Sequence, residues 1–173
     1  MKILSSALAA AVLISALAVN MAVAADDIRI WDGSVAEEYA GGTGTADDPY
    51  LIETAEQLAR MIEYDVNTDY TDNITNGSTN KYYKLAADIY LNDVSADNWY
   101  EESGLNEWYG TANSRFCGSF DGGGYTVYGL YESGEATHGG LFSVIDAWDA
   151  DRTIENLRIS RAYLAADTDY TGA

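Results

Sequence analysis

Two acidic clusters and one aromatic cluster are the places where this sequence could do chemistry. Asp65-x-Asn67-x-Asp69, with Asp72 close behind, spaces side-chain oxygens as the opening of a calcium loop does. A complete loop of the EF-hand kind also needs glycine at its sixth position and glutamate at its twelfth. Tyr70 and Asn76 stand there, so only a looser calcium site on Asp65, Asn67, Asp69 and Asp72 fits, against a solvated acidic loop. Asp146, Asp149 and Asp151 fall in one turn. Such carboxylates can share a cation or set a general acid beside a partner, although turn aspartates commonly do no more than shape the chain. Asp121 precedes Gly122, Gly123 and Gly124. It reads as a turn former, because no lysine follows and no helix starts there, as a phosphate loop would require. His138 is the sole histidine, and a lone imidazole builds neither a zinc site nor a nucleophile triad. No catalytic residue is therefore expected, and no cofactor beyond calcium.

The aromatic cluster is Trp99, Tyr100, Trp108 and Tyr109, interspersed with Glu101, Glu102 and Glu107. Exposed rings beside carboxylates are how proteins grip sugars, the ring face meeting the apolar face of the sugar. These four are the expected glycan contacts; the alternative is that they pack inward.

The elements that would position these groups follow from periodicity. Residues 28–35 alternate apolar and polar, as a strand does. Thr54, with Gln57 three positions on, forms a capping box for a helix over 54–64. Ala55, Leu58, Met61 and Ile62 then share one face, and Glu53, Glu56, Arg60 and Glu63 the other. Later segments echo one another. Gly118-Ser119-Phe120 matches Gly140-Leu141-Phe142, and Thr126 to Leu130 matches Thr153 to Leu157. A period in the low twenties with short strands and glycine turns is a solenoid pattern. The expected fold is all-β, the start of a right-handed parallel β-helix with one N-terminal capping α-helix. Its core would be Phe120, Val127, Leu130, Phe142, Ile145, Ile154, Leu157 and Ile159.

Three divisions are expected: a signal peptide over 1–25, a strand, loop and capping helix over 26–64, and the first coils over 65–173. The signal rests on Lys2, an apolar run from Ile3 to Val19 and the small-x-small site Ala22-Val23-Ala24. Cys117, the only cysteine, allows no internal disulfide. With 28 acidic residues against 9 basic, the formal charge is −19. That charge argues against nucleic acid and against anionic membrane surfaces after cleavage of the signal.

The residues 30–61 (WDG, then GTGTADDPYLI and the helix), 81–91 (KYYKLAADIYL), 116–131 (FCGSFDGGGYTVYGLY) and 139–160 (GGLFSVI, then TIENLRIS) resemble N-terminal modules of bacterial GLUG-repeat-type surface proteins. The resemblance implies a parallel β-helix, an adhesin-like role, and further repeats C-terminal to the module. The expected function is a non-catalytic extracellular or cell-surface module, with a carbohydrate or host-surface partner. The alternative is a carbohydrate-active hydrolase or lyase.

Overall fold

The computed structural model describes residues 28–66, 78, 80–108, 115–134, 139–145 and 152–165. The signal segment, Asn67, Asp69, Asp72, Tyr109, His138 and the Asp146, Asp149 and Asp151 turn lie outside the described residues.

Strand β1 (Tyr50–Ile52) leads into helix α1 (Ala55–Arg60) and a π-helical turn over Met61–Val66. Then come β2 (Tyr82–Leu85), β3 (Ile89–Tyr90), a 3-10 turn (Trp99–Glu101), β4 (Arg115–Phe116), β5 (Ser119–Asp121) and β6 (Thr126–Tyr128). β7 (Tyr131–Glu132), β8 (Val144–Ile145), β9 (Ile154–Glu155), β10 (Arg158–Ser160) and β11 (Tyr163–Leu164) follow among the described residues. They build four small sheets, ordered β1-β2-β5-β9, β10-β6-β3, β11-β7 and β4-β8. Every pairing between these strands is parallel.

This arrangement corrects the expected fold. The described residues form separate sheets of two to four very short strands beside a helical segment, not a right-handed parallel β-helix. The internal echoes in the sequence do not set the register. Phe120 is the register partner of Ile154, and meets Phe142 only through an edge-on ring contact at 5.4 Å. Thr126 pairs with Arg158, so the match to Thr153 is not a pairing either. Paired residues lie roughly 30 to 40 positions apart. The echoes record recurring turn and apolar types; register is decided by which backbone groups can pair.

The expected strand over 28–35 is reduced to one parallel bridge, Ile30 to Tyr90. The helix forms where its cap is. Thr54 Oγ1 accepts from Gln57 N at 3.3 Å, and Gln57 Oε1 accepts from Thr54 N at 3.3 Å. Ala55, Leu58, Met61 and Ile62 are buried, as the helical spacing predicts. Glu56 is a correction: expected on the solvent side, it is buried and accepts from Arg29 Nη2 at 2.9 Å. The core gathers Ile52, Tyr83, Leu85, Ile89, Leu91, Phe116, Phe120, Val127, Leu130 and Leu141 beside the helix residues. Phe142, Ile154, Leu157 and Ile159 are half-buried against it. Ile145, an expected core residue, is 55% exposed.

Glycine is required where passes of the chain touch. A Cβ on Gly122 would lie 2.4 Å from Leu157 Cα, and one on Gly42 would lie 1.9 Å from Pro49 O. Where no strand supplies a backbone partner, a buried amide does. Asn92, 2% exposed, donates from Nδ2 to Asn106 O (2.9 Å) and Gly129 O (2.8 Å). Its Oδ1 accepts from Asn106 N at 2.7 Å. Asn106 passes the link on, donating to Trp31 O at 2.6 Å. One side chain thus ties three passes. Asn92→Ala leaves three backbone groups without it, and should destabilise the fold by about 2–4 kcal/mol. Urea denaturation of the two chains at fixed pH measures this; a change under about 0.5 kcal/mol would refute the linking role.

Candidate functional site

The expected calcium ligand Asp65 is already committed. The π-helical turn points it inward, where its carboxylate accepts from the Tyr39 hydroxyl, from Tyr83 Oη (3.0 Å) and from Lys81 Nζ (2.8 Å). Burial first, and then the adjacent carboxylate, hold both phenols well above the usual tyrosine range, so they remain protonated donors. Tyr39 also stacks on Tyr50, with centroids 4.4 Å apart. The cluster pins the helical segment to β2 and the loop before β1. Among the described residues, no group of three or more His, Cys, Asp or Glu could hold a metal ion.

The expected glycan aromatics part company. Trp99 and Trp108 are 3% and 2% exposed, so neither indole face is open to a sugar. Trp108 donates from Nε1 to Leu141 O at 3.2 Å and meets Trp31 edge-on at 5.5 Å. Trp99 lies edge-on to Tyr131. The inward alternative describes both, because the large apolar rings bury more surface than any other side chain in that stretch. Tyr100 remains at the surface, stacked on Tyr163 at 4.8 Å, and Tyr163 stacks in turn on Tyr131, its register partner. Much of the tyrosine content of this chain makes such ladders: Tyr90 on Tyr128 is another, at 4.6 Å.

The described residues also form concave surfaces, two of which bear on function. One is a polar basin of about 390 Å³ lined by Lys84, Asp121, Asn156 and Arg158. Its charges are mutually engaged. Lys84 Nζ lies 2.9 Å from Asp121 Oδ2, and Asn156 Nδ2 donates to Asp121 Oδ1 at 3.0 Å. Gly123 N donates to the same oxygen at 2.8 Å, closing the turn, while Gly123 and Gly124 take positive φ as the sequence requires.

The other surface is a groove of about 620 Å³, well within the range of small-ligand sites. Its walls come from four passes of the chain: Ile28 and Arg29; Glu53, Thr54 and Ala55 at the start of α1; Ala86 to Tyr90; and Tyr125. Tyr125 is 39% exposed. Asp88 Oδ1 accepts from Thr126 N at 2.8 Å, which fixes the wall against β6. Arg29 is turned toward Glu56. The groove is therefore lined by Tyr125, by Tyr90 with its ring stacked on Tyr128, by small apolar residues, a threonine, and the acidic residues Glu53 and Asp88. Sequence reasoning missed it because no one stretch contains it. The signal lies in Tyr125, an aromatic directly after a glycine turn, where a ring has no strand neighbour to pack on.

No family model matches the chain, and no solved structure does. Two curated proteins are similar to it. Halomucin of Haloquadratum walsbyi is 29% identical over 153 residues, 83% of this chain but 2% of halomucin. A protein of Evansella cellulosilytica assigned the name Gly-rich membrane protein is 31% identical over 133 residues, 75% of this chain and 13% of the relative. The chain thus spans a small part of each. Neither name refers to GLUG repeats. Among the described residues, no helix is long and apolar enough to cross a membrane.

The polar basin supplies a titration test. The Lys84 ammonium, then the Asn156 amide, pull the Asp121 carboxyl from the ordinary value of 3.8 down to about 2. A carboxyl depressed in the folded state stabilises it above the unfolded value and loses that contribution as pH falls through the folded one. The pair is half exposed, so the effect should be at most about 1 kcal/mol. Asp121→Asn is expected to flatten the stability change between about pH 4 and pH 2, read from thermal melts. Unchanged acid sensitivity would show that Asp121 is not held by Lys84 in solution.

Proposed function

We propose that this chain is a non-catalytic module of an exported cell-surface protein, and that it recognises glycan in the groove between Tyr125 and the start of α1. The single observation that carries the reading is the lining of that groove. The exposed Tyr125 lines it together with Tyr90, small apolar residues, Thr54 and the acidic residues Glu53 and Asp88. Sugars present the matching pattern, apolar ring faces edged with hydroxyls, and tyrosine meets both halves. The names of the two similar proteins, a mucin and a membrane protein, fit a place at the cell surface. The leader at residues 1–25 supports export.

The charge narrows the ligand. A formal charge of −19, with Glu53 and Asp88 at the groove itself, repels sulfated and uronate sugars. Neutral and basic sugars are the class it suits. The acids with structural partners support a binding rather than a chemical role, since Asp65, Asp88 and Asp121 each spend oxygens on the protein's own donors.

A glycan array probed with the chain and with Tyr125→Ala tests this. Binding to neutral or amino-sugar glycans is expected, with a loss of about tenfold or more in the variant, the order of one aromatic contact. Undiminished binding by Tyr125→Ala would remove the groove from the reading. Release of shorter sugars from any bound glycan would replace the binding function with a hydrolytic one.

A further inference from the structure

Glu132 stands apart from the other acids of this protein. It is 2% exposed, in strand β7, paired in register with Leu164. Its Oε2 accepts from Gly140 N at 3.1 Å. Its Oε1 is buried with no hydrogen-bond partner. Among the described residues, no cation offsets it. The charged group facing it among the described residues is another acid, Glu107, whose Oε2 accepts from Ser133 N at 3.1 Å. β11 sets the apolar Leu164 beside it, and Ala165, just after β11, donates its N–H to Glu132 O at 2.9 Å. The segment lies close over Glu132: a Cβ on Gly139 would lie 2.7 Å from its Oε2.

An ionised carboxylate is costly to bury unless both oxygens are paired. Here one is unpaired and the neighbouring charge has the same sign. The neutral carboxyl does not carry that cost, and its Oε2 still accepts from Gly140. We propose that Glu132 is a proton-operated latch, which holds the 139–142 segment against β7 when neutral and loosens it when ionised. Trp108, bonded through its indole N–H to Leu141 O, is the second tie on the same segment. The latch therefore releases one end of a doubly held segment without unfolding the core.

The sign follows from linkage. Burial first, and then the Glu107 charge, raise the Glu132 carboxyl above its ordinary value, while the Gly140 amide lowers it. A carboxyl raised in the folded state favours folding below its unfolded value, and that contribution is lost as pH rises through the folded one. The segment is thus tightest in mild acid and loosens toward neutral pH. The inference does not depend on glycan recognition.

Amide exchange at Gly140, measured by NMR on the whole chain and corrected for intrinsic rates, reads the latch directly. Protection at about pH 5 should exceed that at about pH 8 by threefold or more, while Phe120 in the core shows no such difference. Glu132→Gln keeps an acceptor for Gly140 and cannot ionise, so its protection should be the same at both pH values. Glu107→Gln, which keeps its bond to Ser133, should move the changeover to lower pH. The latch is refuted if Glu132→Gln retains the wild-type dependence, if Gly140 merely follows Phe120, or if Glu107→Gln leaves the changeover in place.

Discussion

Strands of two to four residues have too few hydrogen bonds to persist alone, and here each is satisfied by a pass of the chain some thirty residues away. Everything else in this fold answers that constraint. Because the pairing is parallel, successive passes run in one direction, and the connections must return over the surface before pairing can resume. Stability then rests on what joins the passes at the places where strands stop. Asn92 does this inside the molecule, binding backbone groups of two further passes. Asp88 does it at the rim, completing β6 from the turn before β3. Stacked tyrosines do it on the outside, each ring lying on its neighbour in register.

The strong negative charge is handled by the same means. Three of the cations stand against partly or fully buried acids: Arg29 on Glu56, Lys81 on Asp65, Lys84 on Asp121. Asp65 is the firmest case, since two phenols share its carboxylate with the lysine. Glu132 lies outside this economy of pairs, which is why protonation rather than a partner governs it. Asp32, Asp47, Asp48, Glu53, Asp88 and Asp93 are exposed and add to the negative field around the groove.

What could be read from the sequence was local. The capping box at Thr54 and the buried face of its helix follow from spacing alone, because both depend on residues within one turn. The positive-φ glycines after Asp121 do too. Register was not legible. The repeated Gly-x-Phe and Thr-x-x-x-Leu types suggested one short period, whereas pairing joins Phe120 to Ile154 across loops of unequal length. Burial of polar groups was equally hidden. Glu56 sits on the charged face of the helical wheel, yet Arg29, far off in sequence, draws it under cover. The aromatic cluster misled for a related reason: a tryptophan among glutamates looks solvent-facing until two non-local passes, one carrying Leu141 and the other Trp31, close over it. The groove needs four passes to exist, so no motif announces it.

Binding in that groove is best tested by mapping it. NMR chemical shifts of the chain, titrated separately with cello-, xylo- and chito-oligosaccharides, locate any contact residue by residue. Shifts confined to Ile28, Arg29, Thr54, the 86–90 stretch and Tyr125 are the predicted result for at least one of these sugars. Shifts centred instead on Tyr100 and Tyr163, or no shift with any of the three, would contradict recognition at this site.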